Sequence, residues 1–490
     1  AIRERNINTA IYEFLNDNKQ LKNMRIDSRL IQPGDIFIAV PGKTTDGRQY
    51  IAQAIANGAA AIFYEPAGCV IHDNGKVPCI AVDNLIDLVP ELAATYYAHP
   101  SQQLNVLGVT GTNGKTSTAH YIAQLLAAVN LKSGVMGTLG NGVYPDLIPS
   151  PLTTSDCCTI QHQLQQFVQQ GAQYVTMEVS SQGLDQARLM RTQIETGIFT
   201  NLSQDHLDYH KDMQDYFAAK CKLFTDFALK HAVINIDDMY GQQLLNLIPP
   251  QTTVITYSLS NDAADVYLIG DIVHTPWGSG VLRTNLIGRF NVSNVLAALA
   301  CCALQGMSLA QILQAAQQLK PVLGRMELIT AEDAAAPKVV VDYAHTPDAL
   351  IKALQTLREY KPNTLYCVFG CGGDRDRKKR PLMMEAVVAH SDQIIITRDN
   401  PRTEDAQQIV ADMLANTELG PHISIELDRA AAIKQTIAKA KYGDIILIAG
   451  KGHEDYQIIG TTVYPFSDQQ VAHDTLRHPG RVLREPGSIK

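Results

Sequence analysis

Hydrophobic and polar positions along the chain follow two alternating patterns. Short apolar runs rich in β-branched residues are typical of buried strands, and apolar positions three or four residues apart are typical of helices. The predicted strands are 35–40, 60–64, 104–110, 174–179, 197–201, 232–235, 339–343, 365–370, 393–397 and 444–450. The predicted helices include 51–57, 119–126, 215–224, 293–304, 347–357, 406–414 and 429–440. Because the two kinds of element alternate, we expect an α/β protein with mostly parallel sheets.

Two interruptions of this pattern divide the chain. One lies near Ala98–Ser101, and the other is the alanine-rich run 331–337, which is typical of a linker. A chain of 490 residues has room for about three domains. We predict a small α/β domain at 1–102, a central domain at 103–328 with a P-loop ATPase-like, mostly parallel sheet, and a Rossmann-like α/β domain at 329–490.

The stretch from Leu107 to Ser117 reads LGVTGTNGKTS and lies between a predicted strand and a predicted helix. In this context a glycine-rich turn lets backbone N–H groups converge on an anion, and the helix N-terminus adds its positive dipole end. Lys115 supplies a full positive charge, and Thr116 offers a hydroxyl to Mg²⁺. The glycine spacing departs from the common G-x-x-x-x-G-K-[ST] motif, so we predict an unusual phosphate-binding loop. The alternative is a glycine-rich turn with an incidental lysine.

Composition and charge restrict the class of partner. The net charge is −8, with 46% hydrophobic and 18% charged residues, which argues against nucleic acid or an anionic membrane surface. Nine cysteines, without C-x-x-C spacing, fit a reduced cytosolic chain better than a disulfide framework. No apolar leader or membrane-length apolar run is evident, so we expect a cytoplasmic protein without membrane insertion.

Charged side chains also follow other strands of the central domain. Glu178 ends an apolar strand, where P-loop ATPases place a carboxylate for Mg²⁺, although a solvated strand-end acid is the alternative. The run 200–210 contains His206 and His210, whose imidazoles are candidate metal or phosphate partners. Lys220 lies in a helix-like run, and this pattern by itself predicts a lysine with a buried stem and a solvated ammonium.

Three predicted strands of the last domain end in charged loops, at 369–380, 399–402 and 449–454. Ligands of open α/β sheets bind at the carboxyl ends of strands. Arg375 and Arg402 suit a carboxylate and Glu454 suits an ammonium, so the sequence indicates a small zwitterionic substrate. The alternative is a set of solvated loop charges.

Together these motifs resemble those of the Mur ligases of bacterial cell-wall synthesis. The shared motifs are Gly108–Thr116, Asp205–His206, Gly288–Asn291, Gly324–Arg325 and Asp342–His345, and the resemblance spans essentially the whole chain. Within the family, the runs 369–376 and Asp399–Arg402 are similar to those of members that add meso-diaminopimelate, because lysine-adding relatives generally lack the arginine of the second run. The resemblance implies an ATP-dependent ligase that joins meso-diaminopimelate to UDP-N-acetylmuramoyl-L-alanyl-D-glutamate through an acyl phosphate, in peptidoglycan precursor synthesis.

The resemblance also implies roles for individual residues, with ATP as co-substrate and Mg²⁺ as the metal. We expect a monomer. The ATP-binding residues are Gly111, Thr112, Asn113, Gly114, Lys115, Thr116, Ser117, Asn291, Arg325, Asp342 and His345. The UDP-substrate residues are Ile26, Ser28, Lys43, Thr44, Thr45, Thr153, Thr154, Ser180, Gln186 and Arg188. The diaminopimelate residues are Arg375, Asp399, Asn400, Pro401, Arg402, Gly450 and Glu454. The catalytic residues are Lys115, Glu178, His206 and Lys220, and the Mg²⁺ ligands are Thr116, Glu178, His206 and a carbamylated Lys220.

Two positions depart from the family's usual pattern. Gln182 stands where relatives commonly have histidine, and Leu152 stands where they often have asparagine.

Two other functions also have to be weighed. A folylpolyglutamate ligase would share the ATPase core, but the separate N-terminal domain and the Asp399–Arg402 run argue against it. A nucleotide-gated binding module would hydrolyse ATP slowly, at a rate that no amino acid changes.

Overall fold

The computed structural model describes residues 11–42, 45–69, 75–207, 209–329, 331 and 333–477. These residues form two compact units. One contains the described chain up to Val281 together with Val295–Ala315, and the other contains Leu282–Asn294 and the described chain from Ala316 onward. Within the described residues, the first unit holds a four-stranded and a ten-stranded sheet, and the second holds a six-stranded sheet and a hairpin.

The four-stranded sheet is parallel, in the order β1-β2-β3-β4. Its strands are β1 (Met24–Arg25), β2 (Ile36–Ala39), β3 (Ala61–Tyr64) and β4 (Cys79–Ala81). Its helices are Ile51–Ala56 and Leu85–Tyr96, with residues 11–17 also helical and 3-10 segments at Ser28–Leu30, Gly47–Tyr50 and Pro100–Gln103. Alternate side chains of β2 enter different cores: Ile36 packs with Leu85, and Phe37 packs with Ile51.

The ten-stranded sheet has the order β14-β13-β12-β11-β10-β9-β5-β8-β6-β7 and is parallel from β12 to β6. Its strands are β5 (Asn105–Thr110), β6 (Ser133–Gly137), β7 (Gly140–Val143), β8 (Tyr174–Glu178), β9 (Thr196–Phe199), β10 (His231–Asn235), β11 (Thr253–Ser258), β12 (Val266–Ile269), β13 (Ile272–Thr275) and β14 (Gly278–Val281). Its helices are Lys115–Ala128, Cys157–Gln169, Ser181–Asp185, Met213–Thr225 and Met239–Leu244. The helix Arg289–Leu304 has its first six residues in the second unit and the rest in the first, and the helix Leu309–Ala316 follows it. The phosphate-binding loop follows β5, whose two neighbours are β8 and β9.

The six-stranded sheet has the order β15-β16-β20-β17-β18-β19, and only β15 runs antiparallel to its neighbour. Its strands are β15 (Glu327–Ile329), β16 (Lys338–Asp342), β17 (Leu365–Phe369), β18 (Gln393–Ile396), β19 (Ile423–Ile425) and β20 (Ile445–Ala449), and the hairpin is β21 (Tyr456–Ile459) with β22 (Thr462–Pro465). Its helices are Pro347–Arg358, Lys379–His390, Ala406–Met413, Arg429–Lys439 and Asp468–Arg477. The loops after β17, β18 and β20 therefore share one edge of the sheet.

The predicted fold class, an α/β protein with mostly parallel sheets, is confirmed. The strands and helices expected from the sequence lie within a few residues of their predicted positions. The described residues of the predicted linker, 331 and 333–337, contain neither helix nor strand. The domain boundaries at 102/103 and 328/329 stay predictions. Among the described residues, no helix combines the length and the apolar character needed to span a membrane.

Candidate active site

The loop after β5 has the backbone of a phosphate-binding turn. Gly111 and Gly114 adopt φ of +146° and +87°, values that favour glycine, and the following helix begins at Lys115. A Cβ atom on Gly111 would collide with Thr200 Oγ1. The backbone therefore passes close to the end of β9, and the helix N-terminus opens directly onto the loop, as anion binding requires.

Asn201, which follows β9, fixes the loop from outside, and its role was missed by the sequence analysis. Its side-chain Oδ1 accepts from Asn113 N at 2.9 Å, its Nδ2 donates to Asn113 O at 3.0 Å, and its backbone O accepts from Thr112 N at 2.8 Å. Asn201 lay within the polar run after an apolar strand, but nothing in the sequence indicated a partner 88 residues away.

Two lysines converge on one carbonyl of the loop. Lys115 Nζ donates to Gly111 O at 2.9 Å and to Thr112 O at 3.0 Å, and Lys220 Nζ donates to the same Gly111 O at 2.8 Å. Lys220 is 1% exposed and lies over the ring of Tyr216, so the interpretation of Lys220 as a solvated surface lysine is wrong. Burial and the Lys115 charge lower the pKa of Lys220 well below its usual value, which favours the neutral, nucleophilic amine.

Glu178 is a buried acceptor, not a solvated acid. It ends β8 opposite Val109 of β5 and is 1% exposed. Its Oε2 accepts from Thr116 Oγ1 at 3.0 Å and from Thr138 Oγ1 at 3.2 Å, and its Oε1 accepts from Thr138 N at 2.9 Å. Carboxylate and hydroxyl oxygens side by side are the hard ligands that Mg²⁺ prefers, so Glu178 and Thr116 fit this metal.

The other predicted Mg²⁺ ligands fit less directly. Lys220 Nζ is a donor here and offers a metal no oxygen in this form. His206 is partly exposed, adopts φ of +53°, and its Nε2 lies 3.6 Å from Asp205 Oδ2. Within the described parts of the chain, no three His, Cys, Asp or Glu side chains gather closely enough to hold a metal ion. The protein side chains alone therefore supply a partial coordination set.

The predicted peptide-contacting residues form a continuous hydrogen-bonded group next to Glu178. Thr154 Oγ1 donates to Glu178 O at 2.9 Å and accepts from Ser180 N at 3.0 Å. Arg188 Nη1 donates to Thr154 O at 2.6 Å and its Nη2 to Gln186 Oε1 at 2.7 Å. Through Thr138, Thr153 reaches the same carboxylate, with the two hydroxyl oxygens 3.1 Å apart.

An imidazole does occur near the Gln182 departure, although the sequence analysis did not place it there. His210 is 3% exposed, its Nε2 lies 2.9 Å from Ser181 Oγ and its Nδ1 lies 3.5 Å from Asp215 Oδ2. Leu152, the second departure, is exposed. His210 is thus a buried side chain that packs beside the Ser180–Ser181 turn.

The predicted UDP-binding residues of the four-stranded sheet follow β1 and β2. Ile26 and Ser28 come after β1, and Ser28 Oγ donates to Gln53 Oε1 at 3.0 Å. Thr45 comes after β2, where its backbone O accepts from Gly42 N at 3.0 Å. Because β1 and β2 are parallel, these loops lie at the same sheet edge. Lys43 and Thr44 lie outside the described residues.

Three of the four remaining predicted ATP residues cluster around Tyr343 in the second unit. The Arg325 guanidinium lies 4.6 Å from the Tyr343 ring centroid, and His345 Nδ1 lies 2.7 Å from Tyr343 O. Asp342 accepts from Met326 N and Ala344 N, both at 2.8 Å, and burial raises the pKa of its carboxyl. The fourth, Asn291, donates to Ile287 O at 2.8 Å.

His453 joins this cluster without having been predicted. Its ring centroid lies 5.1 Å from that of Tyr343. Burial, with a contribution from the Arg325 charge, lowers the pKa of His453 to about 4, so this imidazole is neutral near pH 7.

The three charged loops of the six-stranded sheet meet at one edge. Asn400 Nδ2 donates to Glu454 Oε2 at 3.1 Å, which joins the loops after β18 and β20. Gly373 N donates to Asn400 O at 2.9 Å, and Arg402 Nη1 donates to Gly373 O at 2.8 Å, which joins the loops after β17 and β18. A Cβ atom on Gly450 would lie 2.7 Å from Asp399 Oδ2. Arg402 and Glu454 are therefore not independent solvated charges.

Two members of the predicted set need a separate description. Pro401 packs against Gly373, where a Cβ atom would collide with Pro401 O. Arg375 is exposed, and its Nη1 donates to Asp374 O at 3.2 Å. Arg375 is thus less fixed by its neighbours than Arg402.

Two buried cations support this edge, and both were missed. Arg380 is 1% exposed and binds Glu404 and Asp412, while its Nη2 donates to Gly372 O at 3.1 Å. Lys451 is fully buried and donates to Asn400 Oδ1 at 3.0 Å and Glu454 Oε2 at 3.1 Å. Both lay in stretches already noted for charge, but only the fold brings their partners together.

Family models match three parts of the chain. Residues 20–97 match the Mur ligase family catalytic domain, residues 109–302 match the Mur ligase middle domain, and residues 324–452 match the Mur ligase glutamate ligase domain. A relative from Chromobacterium violaceum named UDP-N-acetylmuramoyl-L-alanyl-D-glutamate--2,6-diaminopimelate ligase is 45% identical over 472 residues, 94% of this chain and 95% of the relative.

The chain belongs to the Mur ligase family. A protein of the same name from Pseudomonas aeruginosa is 44% identical and covers 93% of this chain and 95% of its own length. A solved structure of a ligase of that name is 38% identical, with a TM-score of 0.65 over 93% of this chain and 95% of that chain. These likenesses extend over nearly the whole of this Mur ligase.

More distant structures share only the fold of this Mur ligase. Mycobacterium tuberculosis folylpolyglutamate synthase complexed with ADP is 18% identical, with a TM-score of 0.60 over 74% of this chain and 92% of that chain. An identity this low argues for a common architecture and not for a common substrate.

Proposed function

We propose that this chain is an ATP-dependent amide ligase that adds meso-diaminopimelate to UDP-N-acetylmuramoyl-L-alanyl-D-glutamate in peptidoglycan precursor synthesis. The observation that carries the proposal is the joined edge of the six-stranded sheet. There a guanidinium, Arg402, lies in the same hydrogen-bonded network as a carboxylate, Glu454. One opposite charge for each end of an amino acid is what such a substrate needs.

The amino-acid preference follows from the chemistry of the two candidate amines. Diaminopimelate and lysine have the same spacing between their two amino groups, but diaminopimelate carries a second carboxylate at its far stereocentre. The planar fork of Arg402 suits that carboxylate, and lysine has no group for it. Arg375, Asp399, Asn400, Pro401 and Gly450 complete the proposed amino-acid site.

The first step activates the substrate carboxylate. Amide formation in water is uphill, so the D-glutamate carboxylate attacks the γ-phosphorus of ATP, an acyl phosphate forms and ADP leaves. Residues 111–117 would bind the phosphates of ATP. Lys115 Nζ, which donates to Gly111 O in this structure, would turn to contact the phosphates instead. Asn291, Arg325, Asp342 and His345 would bind the rest of the nucleotide. Mg²⁺, held by Thr116 and Glu178 with His206, would neutralise phosphate charge when bound.

The second step forms the amide. The amine nitrogen of diaminopimelate attacks the acyl carbon, a tetrahedral intermediate forms, and the carbon–oxygen bond to phosphate breaks. The proposed residues for the UDP-linked substrate are Ile26, Ser28, Lys43, Thr44 and Thr45 at the nucleotide end and Thr153, Thr154, Ser180, Gln186 and Arg188 at the peptide end. The Thr154–Arg188 group adjoins Glu178, so the acceptor peptide would lie beside the phosphate-binding loop.

We also propose that Lys220 is carbamylated and then binds a second Mg²⁺. A lowered pKa makes the neutral amine available to CO₂. A nitrogen–carbon bond would form as one carbon–oxygen π bond of CO₂ breaks, the nitrogen would release a proton, and the carbamate would offer the metal a negative oxygen ligand. Incubation with ¹³C-bicarbonate should give a carbamate NMR signal that is absent from Lys220→Met.

We further propose that the enzyme acts as a monomer in the cytoplasm.

The direct test of the reaction is phosphate release by the purified chain. We expect release only when ATP, the UDP-linked dipeptide and meso-diaminopimelate are all present, with the tripeptide product detected by mass spectrometry. A nucleotide-gated binding module would instead hydrolyse ATP at a rate that the amino acid leaves unchanged, and this result would refute the ligase proposal.

A further inference from the structure

Lys451 is a charged residue that has no role in the proposed reaction so far. It lies where the loops after β17, β18 and β20 meet, a region called the amino-acid edge below. It lies two residues after β20, and its side chain is 0% exposed. Besides its bonds to Asn400 and Glu454, its Nζ lies 3.6 Å from Asp399 Oδ1. A buried ammonium is costly unless it is paired, and all three partners belong to the proposed diaminopimelate site.

Lys451 fixes the orientation of the Asn400 amide. Asn400 Oδ1 accepts from Lys451 Nζ at 3.0 Å and from Ile458 N at 2.9 Å. Two donors at this position require an oxygen there, so the Asn400 nitrogen must point the other way. That nitrogen, Nδ2, donates to Glu454 Oε2 at 3.1 Å.

Lys451 also leaves one oxygen of Glu454 for a ligand. Glu454 Oε2 accepts from both Lys451 Nζ and Asn400 Nδ2. No hydrogen bond reaches Glu454 Oε1 from the residues that the structure describes, and the side chain is 16% exposed. The carboxylate is therefore held at one oxygen and open at the other.

The charges of the cluster match one ammonium. Asp399 and Glu454 bring two negative charges and Lys451 brings one positive charge. The Arg429 charge also acts on both carboxylates but is balanced by its pair with Asp468, which leaves one negative charge. Without Lys451, Asn400 Oδ1 and Glu454 Oε2 would each lose a donor that fixes their orientation. The site would then bind an ammonium less well and with less defined geometry.

We propose that Lys451 is a positioning residue of the amino-acid site, which orients Asn400 and Glu454 so that one carboxylate oxygen and one net negative charge meet the ammonium of the incoming diaminopimelate. The inference rests on the proposed function and adds to it a residue that does not touch the substrate. Its effect should therefore be confined to the amine, since ATP and the UDP-linked dipeptide are bound by other residues.

The test is full steady-state kinetics of Lys451→Met in the whole enzyme. We expect the KM for meso-diaminopimelate to rise about 10- to 100-fold, because Asn400 and Glu454 lose the donor that orients them toward the ammonium. The KM values for ATP and the UDP-linked dipeptide should not change. Lys451→Arg keeps the charge and should recover part of the loss. Lys451→Gln keeps a polar group and replaces Lys451→Met if that variant fails to fold.

A second readout bypasses the amine site. Hydroxylamine attacks the acyl carbon, forms a carbon–nitrogen bond and expels phosphate, so hydroxamate reports acyl phosphate formation without diaminopimelate. We expect Lys451→Met to form hydroxamate at the wild-type rate. Arg358→Met is the matched control, because Arg358 pairs with Asp392 at the surface of the same unit and should leave every KM unchanged.

The outcomes separate the inference from the function it rests on. Wild-type enzyme that makes no diaminopimelate-dependent product refutes the proposed function. Active wild-type enzyme together with an unchanged diaminopimelate KM in folded Lys451→Met or Lys451→Gln refutes the positioning role. A parallel loss of hydroxamate formation would also refute it, because it would show a general structural defect.

Discussion

The phosphate-binding loop and the amino-acid edge are both built at carboxyl ends of parallel strands, yet they hold their lysines differently. Lys115 and Lys220 both donate to a backbone carbonyl, Gly111 O. Lys451 instead donates to the side chains of Asn400 and Glu454. The helix that begins at Lys115 places its positive dipole end at the phosphate-binding loop. The acids around Lys451 exceed its charge by one, which gives the amino-acid edge the opposite sign. The same architecture can thus favour phosphate at one sheet and an ammonium at another.

The largest effect should come from the lysine of the phosphate-binding loop. Lys115→Met removes the charge proposed to contact the transferring phosphate, and we expect kcat to fall about 10³-fold. The measurement is the initial rate of phosphate release at saturating substrates. Lys132→Met is the control, because Lys132 follows the same helix but donates to Gln170 O, and its rate should equal that of the wild type. A small loss of kcat in Lys115→Met would contradict the proposed contact between this charge and the transferring phosphate.

A steric change to the same loop should have the next largest effect. Gly111→Ala forces a side chain into Thr200 at φ of +146°, so the carbonyl that holds both lysines must move, and we expect kcat to fall about 10²-fold. Gly171→Ala also has positive φ, +77°, but it meets nothing within 4 Å, so it controls for backbone strain alone. Equal losses in the two variants would contradict the proposed role of the Gly111 carbonyl.

The amino-acid edge should respond in KM and not in kcat. Arg402→Lys keeps the charge but loses the planar fork, and we expect the KM for meso-diaminopimelate to rise about tenfold or more. Arg358→Lys makes the same replacement at an exposed pair in the same unit and should have no effect. Wild-type affinity in Arg402→Lys would show that the fork does not bind the second carboxylate.

The smallest effect concerns stability of the amino-acid edge against acid. Hydrogen bonds from Arg377, Gln408 and Arg380 hold the pKa of Asp412 below its usual value. A depressed carboxyl pKa stabilises the fold above the unfolded value of about 4, and this contribution is lost as the pH falls through the folded value. In urea unfolding between about pH 5 and 2.5, Asp412→Asn should show a shallower loss of stability than the wild type. Glu418→Gln, at an exposed carboxylate of the same unit, should keep the wild-type slope.

The sequence predicted those features whose residues are close together in the chain. Strand, glycine turn, Lys115 and helix occur within one continuous stretch, so the phosphate-binding loop could be recognised without a fold. The charged loops after β17, β18 and β20 were recognised because each follows an apolar run. In each case, the physical requirement is local and leaves a local pattern.

Features that depend on distant partners could not be predicted in this way. Asn201 binds Asn113 across 88 residues, and Lys451 binds Asn400 across 51 residues. Lys220 lies in a sequence that looks like any amphipathic helix, and only the packing of this helix against β5 shows that its amino group is buried. Such roles depend on which strands are neighbours in the sheet, and a single sequence does not give the strand order.

The most direct test of the central claim compares two amines in the wild-type enzyme. With ATP and UDP-N-acetylmuramoyl-L-alanyl-D-glutamate present, phosphate release and product mass are measured with meso-diaminopimelate and with L-lysine. We predict a kcat/KM for meso-diaminopimelate at least about 10²-fold above that for L-lysine, since lysine leaves the Arg402 fork without a carboxylate. Equal use of the two amines, or a preference for L-lysine, would contradict it.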